Sequence, residues 1–296
     1  MEQVKKTSGG ERLYKVFIYV ALITLAVLIL VPVAWVFMAS IKENSEFYAN
    51  PWALPAGFHF QNFVEAWTEA RMGDYMLSSV LVTALALAIL LVVALPAAYA
   101  LSRFHFRGRR FFSTCFMAGL FINVNYIVVP IFLMLVDGDK FLRGIFGRGF
   151  LLNNIVVLAL VYASTALPFT IYLLSGYFST LPHAYEEAAY IDGAGYGRTM
   201  VKIIFPMAKP SIITIILFNF LSFWNEYIIA MTLLTDPNGT RTLPVGLMNL
   251  TQAQQSAAQY GRLYAGLVLV MLPTLLLYVC VQKKLTQGMT LGGLKG

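Results

Sequence analysis

Residues 21–39 read ALITLAVLILVPVAWVFMA, and this stretch decides the class of fold. It carries no charge and lies inside a run of 26 uncharged residues between Lys15 and Lys42. About 20 apolar residues in an α-helix cross the roughly 30 Å hydrocarbon layer of a bilayer. Lipid offers the backbone no hydrogen-bond partner, so only helices or closed barrels cross it. A barrel strand alternates apolar and polar residues. This stretch does not alternate, so it predicts a membrane-spanning helix. It is also longer than a typical 7–15-residue signal core and shows no clear small-residue cleavage site, so it reads as a retained span.

Further uncharged runs follow: 28 residues between Asp74 and Arg103, 26 between Arg110 and Asp137, 37 between Arg148 and Glu186, and 20 between Arg262 and Lys283. A run of 26 between Lys209 and Asp236 is interrupted only by Glu226. The reading is an all-α membrane protein with six transmembrane helices, at about 16–38, 76–101, 111–135, 152–175, 211–234 and 263–282, in a single membrane domain over 1–296. Composition agrees. The chain of 296 residues is 59% hydrophobic and only 12% charged, against about 25% charged in soluble domains. That excludes a disordered chain or a coiled coil. It also argues against a soluble enzyme, which could not cover its surface with polar groups.

Lys and Arg placement sets the orientation. Fourteen basic residues fall before the first span, between spans two and three, between four and five, and after six; seven fall on the opposite side. The ratio puts both termini in the cytoplasm. The segment Asp137–Arg148, with three basic residues on the outer side, runs against the trend. This asymmetry accounts for the net charge of +7, and no clustered patch suggests nucleic acid. Cys115 and Cys280 fall within predicted spans, and His59, His105 and His183 lie far apart. Neither set has metal-ligand or disulfide spacing. The long first outer loop has turns at Pro51, Pro55 and Gly57 and an amphipathic stretch over Asn62–Arg71. The third outer loop, about 236–261, reads as polar.

The second long inner loop, 179–209, is the most informative stretch. Residues 179–210 read STLPHAYEEAAYIDGAGYGRTMVKIIFPMAKP. Pro182 suits the first turn of a helix, and Glu186 and Glu187 lie near its positive end. Gly193 stops that helix as a left-handed cap. RTMVKIIF then forms a second short helix, ended by Pro206. Ala188 and Ala189 present small side chains that let another backbone approach. The expectation is a helix–turn–helix docking element on the cytoplasmic face.

These residues resemble the membrane subunits of binding-protein-dependent ABC importers. That family carries EAA, three residues, G, nine residues, then I-x-L-P. Here Glu187, Ala188, Ala189, Gly193, Ile203 and Pro206 fall at those spacings, with Asp192 and Ala194 completing an Asp-Gly-Ala extension. Phe205 stands where the family usually has Leu, an exchange that keeps an apolar side chain. FLSFWNEYIIAMTLL (220–234), TLPVGL (242–247) and the terminal LTQGMTLGGLKG are similar to the maltose-permease type of second subunit.

The resemblance implies the type I importer permease fold and a transmembrane subunit of an ATP-driven sugar or oligosaccharide importer in a bacterial cytoplasmic membrane. It implies a second homologous permease subunit, two ATPase subunits that bind ATP and Mg, and an extracytoplasmic binding protein. The chain has no GxxxxGK[ST] phosphate loop of its own, so it is read as a non-enzymatic subunit without a bound cofactor. Glu186, Glu187 and the motif residues would couple to the ATPase. Gly292, Gly293 and Lys295 in the 285–296 tail would insert between the ATPase subunits, or simply fray.

Glu226 is the only charge inside a predicted span. Such residues usually face a protein interior or a wet cavity. Asn219, Ser222 and Glu226 share a helix face, with Asn225 beside them. Sugars bind through hydroxyl hydrogen bonds and aromatic stacking, so this stripe suits a cargo path; hydrogen bonding between subunits is the other reading. Asn123 and Tyr126 form a second candidate pair. A stand-alone secondary transporter or channel would need paired ionisable residues near mid-membrane, and only Glu226 is available. An intramembrane enzyme would need a catalytic cluster, and none appears.

Overall fold

The computed structural model describes residues 9–236, 239–257 and 259–293, and helices carry most of them. The chain divides into two compact units, 1–70 with 250–269, and 71–249 with 270–296.

The first unit contains α1 (Gly9–Ala39), α2 (Asn44–Ala49) and α3 (Gln61–Thr68). α1 is apolar and exposed all round over its membrane-length stretch, as a lipid-facing helix must be. The connection after it is held by polar groups. The Glu46 carboxylate accepts from the backbone N–H groups of Ala56 at 2.9 Å and Glu43 at 3.0 Å. Those donors favour the ionised form and hold its pKa below the usual carboxylate value. Asn62 Nδ2 donates to Ser40 O and Lys42 O, and the buried Lys42 donates to Pro51 O at 2.8 Å. α3 covers the amphipathic stretch expected at 62–71 only as far as Thr68; its Glu65, and Glu69 just after it, pair with Arg262 at 2.8 and 2.7 Å.

The second unit is built on α4 (Met72–Arg103), α5 (Arg109–Gly119), α6 (Val124–Phe146) and α7 (Ile155–Thr180). Val82, Ala86, Leu90, Ala94 and Ala98 recur every four residues along α4, and all are buried. That ridge meets Leu158, Ala159, Tyr162, Ile171, Leu174 and Phe178 of α7 in one core. In lipid the apolar surface itself drives little association, so close packing on small residues carries the pair. Pro96 and Pro168 sit inside these helices, each removing one backbone hydrogen bond.

α8 (Ala184–Ile191), α9 (Tyr196–Thr199), a π-helical stretch (Met200–Ile204) and α10 (Phe205–Met207) follow. Next come α11 (Lys209–Asn225), α12 (Ile228–Leu233), α13 (Leu243–Ala257) and α14 (Tyr260–Gly293).

Among the described residues, four helices are long and apolar enough to cross a bilayer: Arg12–Ala39, Met72–Arg103, Ile155–Thr180 and Tyr260–Gln282. Up to six candidates result if each of two bent pairs counts as one span. The structure corrects the expected elements in four places. The segment 111–135 is not one helix: α5 and α6 meet at a 105° bend. There Gly119 approaches Pro168 so closely that a Cβ would lie 2.8 Å from the proline ring, and the Asn123 side chain starts α6 afresh. The segment 211–234 breaks after Asn225 and restarts at Ile228. The loop expected at 236–261 contains α13, and the last helix continues past 282 to Gly293.

Candidate functional site

The stretch between α7 and α11 folds as a helix, a glycine turn and a second helix. α8 begins at Ala184, two residues after Pro182, with His183 O accepting from Glu186 N and Glu187 N at 2.9 and 3.1 Å. Its end is a Schellman motif. Ala194 N donates to Ala189 O at 2.8 Å, Gly193 N donates to Tyr190 O at 3.0 Å, and Gly193 stands at φ +74°. No atom lies within 4 Å of a Cβ built on Gly193, so the backbone angle, not crowding, requires glycine there.

Pro206 does not end the second helix. It has no N–H to give to the carbonyl four residues back, and the chain widens to a π-turn in which Phe205 N donates to Met200 O. Pro206 then sits in the first turn of α10, and the stop comes at Ala208, where the direction changes by 77° into α11.

Glu186 and Glu187 point to different worlds. The Glu186 side chain is only 12% exposed, and it meets Arg103 at the end of α4, itself 2% exposed. Tyr99 Oη donates to Glu186 Oε1 at 2.9 Å, and Arg103 Nε lies 3.4 Å from the same oxygen, an ion pair rather than a hydrogen bond. Arg103 Nη2 donates to Leu181 O at 2.6 Å. His183 bridges the two charges, with Nδ1 3.1 Å from Glu186 Oε2 and Nε2 3.2 Å from Arg103 Nη1. A neutral imidazole with its proton on Nδ1 satisfies both contacts. The first turn of α8 is thereby clasped to α4.

The motif residues therefore divide. Glu186 and Ala189 turn into the chain, correcting the expectation that Ala189 faces a partner. Glu187, Ala188, Asp192, Gly193 and Pro206 are exposed, whereas Ala194 and Ile203 are half-buried. Ile191, which the sequence reading passed over, is 87% exposed beside Tyr190. An isoleucine next to Asp-Gly at a helix end was the available signal. Arg103 and Tyr99 were also missed, because nothing local marks them as partners of Glu186.

Glu226 belongs to a different arrangement. Its Oε1 accepts from Ile229 N at 2.7 Å and its Oε2 from Ala230 N at 3.1 Å, so it caps α12. The buried Tyr162 donates to Oε2 at 2.7 Å. The carboxylate is thus spent within the chain. Asn219 is buried and donates to Thr170 Oγ1 at 3.1 Å and Ile215 O at 2.9 Å, pinning α11 to α7. Ser222 and Asn225 are exposed, although Asn225 Nδ2 donates to Leu221 O. They extend a stripe from Phe218, whose ring lies 6.2 Å from that of Phe169 on α7. Asn123 caps α6 through Asn125 N, and Tyr126 is exposed. Gly292 and Gly293 close α14, and Lys295 lies outside the described residues.

A family model described as "Binding-protein-dependent transport system inner membrane component" matches residues 90–290. A diacetylchitobiose uptake system permease of Streptomyces coelicolor is 35% identical over 288 residues, 97% of this chain and 91% of that protein. A probable ABC transporter permease of Bacillus subtilis is 33% identical, over 97% of this chain and 89% of that protein. A trehalose transport system permease of Mycobacterium tuberculosis is 29% identical, over 90% and 93%. Among solved structures, a chain of a bacterial ABC transporter involved in the import of the acidic polysaccharide alginate superimposes with a TM-score of 0.79 at 25% identity. It covers 95% of this chain and 99% of that one.

Proposed function

Because the chain belongs to the family of binding-protein-dependent transport system inner membrane components, we propose that it passes a sugar or oligosaccharide through a bacterial cytoplasmic membrane, driven by separate ATPase subunits. The observation that carries this reading is the Gly193 helix pair clasped to the end of α4. Its outward side offers Glu187, Ala188 and Ile191 to a partner. Its inward side is locked by Glu186 to Arg103, so a push on the loop moves α4. α4 shares a tightly packed core with α7. The two helices then move as one body, and the chain alternates between inward-open and outward-open states.

The relatives named for diacetylchitobiose and trehalose support a carbohydrate cargo. On this chain the cargo stripe is Phe169, Phe218, Ser222 and Asn225, which offers an aromatic face and polar side chains. Glu226 and Asn219 support that stripe from behind instead of touching cargo. The assembly holds a second permease subunit, two ATPase subunits and an extracytoplasmic binding protein, with both termini of this chain in the cytoplasm. The nucleotide is bound and hydrolysed by the ATPase subunits.

Co-purification tests the coupling. With tagged ATPase subunit as bait, wild-type chain is retained, and Glu187→Lys or Gly193→Pro loses it while still inserting in the membrane. Sugar uptake by this chain alone in liposomes, without ATP, would overturn the proposal.

A further inference from the structure

The connection from α4 to α5 carries His105, Arg107, Arg109 and Arg110 within six residues, with no acidic residue among them. They line an open cavity of about 1100 Å³, together with Ser113 and Thr114. Arg109 is held in place by Leu101 O at 2.8 Å and Ser102 O at 3.3 Å. Arg107 and Arg110 are exposed and have no carboxylate partner among the described residues. Arg71, Arg143 and Arg262, by contrast, each hold a carboxylate within about 3 Å, whereas Arg148 and Arg198 are isolated cations outside any such cluster among the described residues. The cations at this corner are left facing an open space.

A second cavity, of about 330 Å³, adjoins the first and shares Arg109 and Ser113 with it. Its remaining wall includes Phe116 and Met117 of α5 and Ile171 and Tyr172 of α7, with Ser102, Ser175 and Ser179 on its polar side. Phe111 and Phe112 are also exposed, Phe111 by 67%. Charge alone fits any anion. A basic cavity opening into a groove of mixed, mainly apolar lining, at the end of a membrane-length helix, fits an anion that carries a hydrocarbon tail. An acidic protein surface would match the arginines but leave the groove and the two phenylalanines uncovered.

We propose that the α4–α5 corner binds one anionic phospholipid, with its phosphate among Arg107, Arg109 and Arg110 and the start of an acyl chain in the groove between α5 and α7. The site stands apart from the transport reading and does not depend on it. Basic residues near a bilayer surface each strengthen attraction to anionic lipid, and Arg suits phosphate through its planar fork of donors.

The test is native mass spectrometry of the full chain, purified in detergent and given phosphatidylglycerol or phosphatidylcholine. Wild-type chain should retain phosphatidylglycerol in preference to phosphatidylcholine. The double variant Arg107→Gln, Arg110→Gln should lower that retention about tenfold or more, and Lys202→Gln should not. Inorganic phosphate should fail to displace the lipid. If the double variant does not purify, each single variant should show a part of the loss. Equal retention of the two lipids overturns the proposal, as does unchanged retention in the arginine variants. Displacement by inorganic phosphate would make the corner a site for a free anion. Loss of a protein partner from the double variant, with lipid retention intact, would make it a protein-docking surface.

Discussion

Gly193 shows what one backbone angle does for the molecule. Its φ of +74° permits the turn that closes α8, with open space around the Cα. An alanine there keeps every contact and still costs about 1–2 kcal/mol of left-handed strain. Gly195, at φ −73° and ψ 165°, lies in ordinary extended space with equal room. Gly193→Ala should therefore open the loop to limited proteolysis about 5–30 times faster, and Gly195→Ala should leave the rate unchanged. Equal rates for the two variants would remove the Schellman turn as the reason for glycine. The position was readable in the sequence because a helix stop needs a glycine locally. The division between Glu186 and Glu187 was not. Two adjacent carboxylates look alike until Tyr99 and Arg103, more than 80 positions away, arrive beside one of them.

Among the elements, the interrupted helix α11–α12 was the least legible. Residues 221–235 run through Glu226 without the proline or glycine that usually announces a break. The charge was visible; its employment was not. The break exists because Glu226 satisfies the free N–H groups of α12 while Tyr162 supplies a hydroxyl from α7. This ordering predicts a graded response. Glu226→Gln keeps an acceptor for α12 and lowers stability by about 1 kcal/mol. Glu226→Leu leaves two N–H groups and a phenol unmatched and lowers it by roughly 3 kcal/mol or more. Thermal unfolding of the purified chain in detergent should rank wild type above Gln and Gln well above Leu. A leucine variant as stable as the glutamine variant would show that Glu226 does not hold the break. The bend between α5 and α6 escaped the sequence for a related reason: Gly119 and Pro168 lie 49 positions apart, and only their contact makes the corner.

At the scale of the whole molecule, helices and their approximate number came from the uncharged runs alone, because a bilayer admits so few alternatives. Sidedness rests on a subtler balance of basic residues. The set expected on the outer side includes Lys140 and Arg143, whose nearest carboxylates are Asp137 at 3.2 Å and Asp139 at 2.9 Å, one helical turn away. Arg71 and Arg262 are likewise held by Asp74, Glu65 and Glu69. The described members of the opposite set, including Arg107, Arg110, Arg198 and Lys202, carry no ion pair among the described residues, apart from Arg103. Lys42, Arg148 and Arg241 of the first set have no ion pair among the described residues either, so the two sets differ in degree, and the side each one faces is a matter for experiment. Cysteine labelling turns this into a measurement. Cys115 and Cys280 are exposed and must first become serine. In that background a membrane-impermeant thiol reagent should reach Tyr48→Cys, on the exposed surface of α2, in intact cells. Glu187→Cys should react only after the cytoplasmic face is opened, because the proposed function sets its loop against ATPase subunits there. Labelling of both positions from outside would detach the loop from any cytoplasmic motor, whatever its helices look like, because a docking face on the wrong side of the bilayer transmits no force.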